Sequence, residues 1–166
     1  MLPMRWLCLT LLCGLVAVPA ALAASHATGD GVLEIRDAAG IVVLNTTRGT
    51  VWGQVTKATK LVVTDPVLGD GVVYVSGAER VTVGNAENTT VYSGRDLHFR
   101  VTGGKAKLYL RGSGIDLTVV GVGSAQFTGD AFAADRGDYA VDSGKWNPVP
   151  VTTSIIRFGV QPAPAP

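Results

Sequence analysis

Four glycines in the middle of the chain lie nine residues apart, and this spacing constrains the fold more than any other feature. They are Gly94, Gly103, Gly112 and Gly121, and Asn85 continues the series toward the N-terminus. Asparagine tolerates the positive φ that glycine usually supplies, so it suits an equivalent turn position. The spacing predicts short repeated units, each closed by a turn.

Within each unit, apolar residues occupy the third, fifth and seventh positions after the glycine. The residues between them are mostly polar, and this alternation is typical of a strand with one buried face. A slip of one residue would expose the whole apolar set, so the register is expected to be fixed. The predicted inward residues are Leu97, Phe99, Val101, Ala106, Leu108, Leu110, Ile115, Leu117 and Val119.

The outward positions of neighbouring units are expected to share an exposed face. His98, Lys107 and Asp116 occupy the fourth position after successive glycines. After Gly121 the alternation changes phase, because Phe127 falls between the positions where the earlier units place apolar residues. The repeat is therefore predicted to end or bulge at that point.

Short apolar runs separated by glycine-rich turns recur through the rest of the chain, without helical spacing. This pattern predicts a single all-β domain over 24–160, built as an antiparallel meander in a sandwich or barrel. A short β-solenoid with units stacked in parallel is the alternative. Later strands are predicted around Tyr139–Val141 and in the segment TSIIRFGV, whereas Pro148 and Pro150 disfavour a central strand.

Residues 1–23 have the features of a secretory signal peptide. Arg5 precedes an apolar run, and Ala21 and Ala23 have the A-x-A spacing of a cleavage site. The run is short against the roughly 20 residues that a membrane span needs, so cleavage is predicted, with an uncleaved anchor as the alternative. Residues 161–166 are predicted to be a flexible Pro-rich tail.

Removal of the signal segment changes both the cysteine count and the charge. Cys8 and Cys13 lie within it, so the mature chain is expected to use neither disulfides nor thiol chemistry. Loss of Arg5 reduces the basic residues from 14 to 13, which equals the 13 acidic residues. A neutral, secreted chain of about 143 residues predicts one domain and no nucleic-acid partner.

The segment RGSGIDLTV looks like one copy of the nonapeptide that binds calcium in parallel β-rolls. Such sites share each ion between tandem copies, but Lys107 precedes Asp116 by one unit and Ala125 follows it. One carboxylate cannot supply the six to eight oxygens that calcium takes. Neither a metal nor another cofactor is predicted. Asp116 is expected to lie at a tight turn and to pair locally with a cation or a backbone N–H.

Catalytic chemistry has few candidates in the mature chain. The histidines there are His26 and His98, cysteine is absent, and no G-x-S-x-G motif occurs. No catalytic residue is therefore predicted. A two-carboxylate glycoside hydrolase needs only Asp and Glu, so it is kept as an alternative, although Glu34, Glu79 and Glu87 lie in no recognisable motif.

Aromatic residues offer a binding function, because aromatic rings on a β-face can stack against sugars, although they more often form cores or cross-strand pairs. The chain has five suitable aromatic residues, which are Trp52, Tyr74, Tyr92, Tyr109 and Trp146. The candidate binding residues are Trp52, Tyr109 and Trp146, together with the cation Arg100.

The segment LRGSGIDLTVVGVGS, followed by GDYAVDSGKWNPVP, resembles small exported proteins of actinobacteria. In that group a G-S-G-I-D-L stretch precedes a second glycine turn, a G-x-Y-x-V strand and a Pro-containing end. The resemblance covers about Gly94 to Pro150, and Val122 departs from it because a basic residue is expected there. It implies a bacterial, extracytoplasmic setting and no particular activity.

These observations predict an exported, non-enzymatic β domain with a structural or binding role at the cell envelope or outside the cell. A carbohydrate-binding module and a small glycoside hydrolase are the alternatives. The expected partner is a cell-wall glycan or another envelope protein.

Overall fold

The computed structural model describes residues 27–65, 67 and 69–159. The predicted signal peptide and Pro-rich tail lie outside the described residues. Among the described residues there are strands and no helix, which confirms the predicted all-β class. The strands are β1 (Gly31–Thr64), β2 (Gly71–Ser76), β3 (Arg80–Val83), β4 (Thr89–Gly103), β5 (Ala106–Gly129), β6 (Asp138–Val141), β7 (Asn147–Pro148) and β8 (Ser154–Phe158).

Three strands are unusually long and change their pairing partners along their length. β1 has 34 residues, β5 has 24 and β4 has 15. Together they form a small closed antiparallel barrel to which the shorter strands are added. Because each long strand bends repeatedly, successive segments of it belong to two different walls of the barrel.

The front wall contains the segments 31–36, 115–121, 49–57 and 94–102, in that spatial order. β6 extends it beside 31–36, and β2 extends it beside 94–102. All of these pairings are antiparallel. Segments of β1 therefore alternate in space with segments of β4 and β5.

The back wall is built in the same way from the segments that intervene in the chain. In spatial order these are 89–93, 60–64, 106–112, 40–46 and 123–129, with β3 and β8 at the two edges. β1 thus passes from front to back, to front and to back again. Each passage takes about nine residues, so the unit of the sequence repeat is one crossing of the barrel.

The three predicted units are not neighbours of one another, unlike in a simple meander. Leu97–Val101 lies in β4, whereas the other two units lie in β5, and segments of β1 separate all three. No turn occurs at Gly112, because β5 continues through it. The neighbouring segments are antiparallel, so the parallel stacking of the alternative β-solenoid is not observed.

The corners between the walls bring glycines face to face. Gly49 and Gly121 are register partners, and their φ angles are 130° and 153°, which L side chains rarely adopt. A Cβ on Gly49 would meet the Val120 carbonyl oxygen, and a Cβ on Gly121 would meet the Arg48 carbonyl oxygen. Glycine at both positions therefore lets the two strands approach while they change walls.

The inward faces of both walls form one hydrophobic core. All nine residues predicted to face inward are buried, none of them more than 6% exposed, which confirms that prediction. The change of phase is also confirmed, since Ala125 and Phe127 are fully buried within β5. Phe127 stacks on Tyr139 of β6, with ring centroids 5.0 Å apart. Each large buried side chain contributes about 1.5–3 kcal/mol of transfer free energy, so the core fixes the register of both walls.

Two shorter predictions also hold. Strands occur at Asp138–Val141 and Ser154–Phe158, as predicted. Pro148 lies in β7, a two-residue strand that pairs only with β6 among the described residues and is therefore not central. None of the described residues belongs to a helix long and apolar enough to cross a membrane.

Candidate functional site

An open groove of about 890 Å³ lies on the outer surface of the front wall. It crosses four segments of the wall and reaches the edge strand β2. We call it the front groove. Its lining residues are Glu34, Ile35, Arg36, Trp52, Gly53, Gln54, Tyr74, His98, Phe99, Arg100, Asp116, Leu117 and Thr118.

A straight row of outward side chains crosses the front groove from strand to strand. The register pairs Glu34 with Thr118, Thr118 with Trp52, Trp52 with Arg100, and Arg100 with Tyr74. Directly opposed residues on neighbouring strands have Cβ atoms about 4.5–5.5 Å apart, so each side chain in the row lies beside the next. The row therefore places an arginine between two aromatic residues, with a carboxylate at the far end.

Both aromatic residues of this row reach solvent. Trp52 is 37% exposed and Tyr74 is 62% exposed. They are two strands apart, and neighbouring strands lie about 4.7–4.9 Å apart, so the two residues are separated by about 9–10 Å. That separation is comparable to the length of a disaccharide.

A second, polar row lies two residues along the same strands. Gln54 is opposite Asp116 on one side and opposite His98 on the other, and His98 is opposite Ser76 of β2. The Gln54 side-chain amide donates a hydrogen bond to Asp116 Oδ2 at 3.2 Å. Gln54 therefore separates His98 from Asp116, and the Ser–His–Asp relay of a nucleophilic hydrolase is not formed.

Asp116, the aspartate of the calcium-like segment, has a structural role. Its Oδ1 accepts the backbone N–H of Asp37 at 2.8 Å, where the chain bends and Asp37 has a φ of 47°. The partner is a backbone N–H, as predicted, but the contact is not local, because Asp37 and Asp116 are 79 residues apart in the chain. Among the described residues, no group of three or more His, Cys, Asp or Glu side chains is placed to hold a metal.

Trp146 is positioned at the margin of the groove. The Cζ atom of Arg36, a lining residue, lies 3.9 Å from the centroid of the Trp146 ring. This cation–π contact is worth about 0.5–1 kcal/mol at an exposed site. Trp146 therefore positions the guanidinium group at one end of the groove.

Arg100 has a different environment at the opposite side. Its Nε atom donates to Thr102 Oγ1 at 3.2 Å, two residues along the same strand. Among the described side chains, the ion pair is formed by another arginine: Arg48 Nε lies 3.0 Å from Asp30 Oδ1. Arg100 therefore has no carboxylate partner among the described residues.

The structure brings together three of the four candidate binding residues. Trp52 and Arg100 are adjacent in the groove, and Trp146 contacts it through Arg36. Tyr109 lies on the back wall, opposite Val43 and Val62, so its inclusion in the same site is wrong. Tyr92 is partly buried against the core.

The predicted shared face of His98, Lys107 and Asp116 is correct only in part. His98 and Asp116 line the front groove, but Lys107 is on the back wall between Asn45 and Thr64. The reason is that successive units lie on opposite walls. Equivalent positions in successive units therefore face away from each other.

Sequence reasoning missed Glu34 and Gln54 as groove residues. Both follow glycines of β1 that also lie nine residues apart, namely Gly31, Gly40 and Gly49. Glu34 is three residues after Gly31, and Gln54 is five after Gly49. This second series was the available signal, and it would have shown that β1 has the same unit length as β4 and β5.

Comparison with known proteins adds no assignment: the chain matches no protein-family profile, no curated protein and no solved structure. The function is therefore argued from the front groove.

Proposed function

We propose that this protein is an exported, non-enzymatic binding domain whose front groove holds a carbohydrate chain of the cell envelope. The observation that carries the proposal is the row in which Arg100 lies between the exposed rings of Trp52 and Tyr74. Another envelope protein is the competing partner.

The chemistry of sugars matches this row. A pyranose ring has apolar C–H faces that stack on aromatic rings, and hydroxyl groups at its edge that need hydrogen-bonding partners. Trp52 and Tyr74 supply the rings, while Gln54, Thr118 and Arg100 supply donors and acceptors around them. The groove is open, so a chain longer than a disaccharide can extend past both ends.

The rigidity of the platform favours this use. The strands that carry Trp52 and Arg100 are held between neighbours on both sides, and their inward residues, such as Val51 and Phe99, are buried. Side chains on a fixed sheet lose little freedom on binding compared with side chains on a loop. The site is therefore preorganised for a repeating ligand.

The proposed extracytoplasmic setting rests on the sequence of residues 1–23. Expression in a bacterial host followed by N-terminal sequencing of the exported protein tests it. A mature chain that begins near Ser25 supports export with cleavage, and a chain that still begins at Met1 in the membrane fraction supports the uncleaved anchor. A chain that begins at Met1 and stays in the cytosolic fraction contradicts the extracytoplasmic setting.

A glycoside hydrolase is the second candidate, because the front groove contains two carboxylates, Glu34 and Asp116. The non-enzymatic proposal is favoured because Asp116 is engaged by the Asp37 N–H and the Gln54 amide. Incubation of the protein with cell-wall glycans and measurement of new reducing ends distinguishes the two. Release of sugar that is lost in Glu34→Gln would establish the hydrolase instead.

The binding proposal is tested by retention on insoluble cell-wall glycans and on an array of soluble oligosaccharides. We expect binding that falls about tenfold or more in Trp52→Ala, because one aromatic stacking surface is lost. Phe132→Ala is the matched control, since Phe132 is 98% exposed and lies outside the front groove. Retention that is equal in both variants, or no retention of the unmodified protein, would contradict the proposal.

A further inference from the structure

We infer that the front groove selects a glycan that carries carboxylate groups, such as a uronic acid chain, and that Arg100 is the residue that recognises them. The inference rests on the proposed carbohydrate-binding function and specifies its ligand class. It is carried by the placement of Arg100 between two exposed aromatic rings and by the hydrogen bonding of its side chain.

Arg100 lies where a sugar stacked on either aromatic ring would place its ring substituents. Its register partners are Trp52 on one side and Tyr74 on the other. The hydrogen bond from Nε to Thr102 Oγ1 holds the base of the guanidinium group. The N–H groups on its two terminal nitrogens form no hydrogen bond with the described residues, and a planar pair of such donors matches the two oxygens of a carboxylate.

Among the residues that the structure describes, no carboxylate pairs with this guanidinium group. The acidic residue in the same row, Glu34, is three strands away, which corresponds to about 14 Å. Asp116 is directed instead to Asp37 and Gln54. Within the described part of the chain, Arg100 is therefore a cation without a carboxylate partner, and it lies between two exposed aromatic rings.

The two arginines of the groove lie on opposite sides of it and differ in their surroundings. Arg36 is in the segment 31–36, two residues from Glu34, and its guanidinium group is stacked on the Trp146 ring, whereas Arg100 is on β4 between Trp52 and Tyr74. An acidic sugar bound with its carboxylate at Arg100 would direct its hydroxyl groups toward Thr118 and Glu34, which continue the same row.

The test compares ligands that differ only in charge. Binding of oligogalacturonate, of the same oligosaccharide as its methyl ester, and of a sulfated oligosaccharide is measured by titration calorimetry. We expect the free acid to bind about tenfold more tightly than the ester, and its binding to weaken as NaCl is raised. The sulfated chain is expected to bind less tightly, because the single charge of a sulfate ester is spread over three oxygens, so each oxygen accepts a weaker hydrogen bond from the guanidinium group than a carboxylate oxygen does.

Variants assign the preference to Arg100. In Arg100→Gln the acid and its ester are expected to bind equally, while Arg100→Lys restores only part of the preference because the planar donor pair is lost. Arg157→Gln is the matched control, since Arg157 is an exposed arginine of β8 on the back wall and is expected to leave the preference unchanged. Unchanged melting temperatures in all three variants verify that they fold.

The outcomes separate this inference from the function on which it rests. Equal or tighter binding of the ester, with a loss in Trp52→Ala, would leave a carbohydrate-binding domain and overturn the acidic ligand. Sulfated chains that bind as tightly as the acid would overturn carboxylate recognition in particular. If none of the oligosaccharides binds, both the proposed function and this inference fall.

Discussion

The outer surfaces of the two walls differ, although the same nine-residue unit builds both. On the front wall, Trp52, Arg100 and Tyr74 form an exposed row beside a groove. On the back wall the corresponding row pairs Tyr109 with Val43 and Val62, and all three side chains are half-buried. The backbone repeat therefore determines where side chains point, and the residue types at outward positions determine which wall can hold a polar ligand.

The inward faces, in contrast, are equivalent in the two walls. Leu33 on the front wall and Leu108 on the back wall are both fully buried in the single core. We expect Leu33→Ala and Leu108→Ala to lower the free energy of unfolding by similar amounts, about 2–5 kcal/mol each. Urea unfolding followed by tryptophan fluorescence measures this. A loss under about 1 kcal/mol in either variant would show that its wall does not share the core.

The next largest effect on the free energy of unfolding is expected at the corners, where the chain passes from one wall to the other. Gly49→Ala adds a Cβ against the Val120 carbonyl oxygen in a strained backbone conformation. We expect it to cost about 2–4 kcal/mol in thermal or urea unfolding.

Gly69→Ala is the control for this corner variant. Its φ is also positive, 85°, but apart from its two chain neighbours no atom of the described residues lies within 4 Å of the added Cβ. The backbone strain alone is expected to cost about 1 kcal/mol. Equal losses in the two glycine variants would contradict the close approach of strands at the corner.

A smaller loss of stability is expected when the bend at Asp37, which Asp116 supports on the front wall, loses its hydrogen bond. Asp116→Ala removes the acceptor of the Asp37 N–H and of the Gln54 amide, so we expect a loss of about 1–3 kcal/mol. Asp138→Ala is the control, because Asp138 is exposed and forms no side-chain hydrogen bond among the described residues. Chelator is expected to leave the melting temperature unchanged, and a chelator-dependent shift that disappears in Asp116→Ala would restore the calcium interpretation.

The smallest effect on stability is expected at Tyr74, the exposed tyrosine of the front wall, and Tyr109 of the back wall is its counterpart. Tyr74→Ala on the exposed edge strand is expected to change the free energy of unfolding by about 0.5 kcal/mol or less and to weaken glycan binding. Tyr109→Ala on the back wall is expected to destabilise the protein more and to leave binding unchanged. The reverse pattern would place the binding surface on the back wall.

The sequence was sufficient to predict what the core would contain, because period-two alternation reports burial directly. All nine inward residues of the central units and the change of phase before Phe127 followed from it. The order of the strands did not, because each unit pairs with segments of β1 that are distant in sequence, such as Trp52 with Thr118. Local patterns carry little information about which distant segment inserts between two units.

The same limit explains which site residues were found. Trp52 and Arg100 were candidates because of their residue types, and their adjacency depends on the pairing of β1 with β4. Tyr109 was included because nothing in its own unit distinguishes a front position from a back one. Glu34 and Gln54 can be assigned to the front groove only when β1 is known to cross the barrel every nine residues.

The central claim is that the front wall binds carbohydrate and the back wall does not. Amide chemical-shift mapping by NMR tests it most directly, with titration of whichever oligosaccharide, neutral or uronic, binds most tightly. The predicted shifts are concentrated at Trp52, Gln54, His98, Arg100 and Thr118, with little change at Val43, Val62 and Tyr109. Shifts concentrated on the back wall, or no saturable shift in the front groove, would contradict the account.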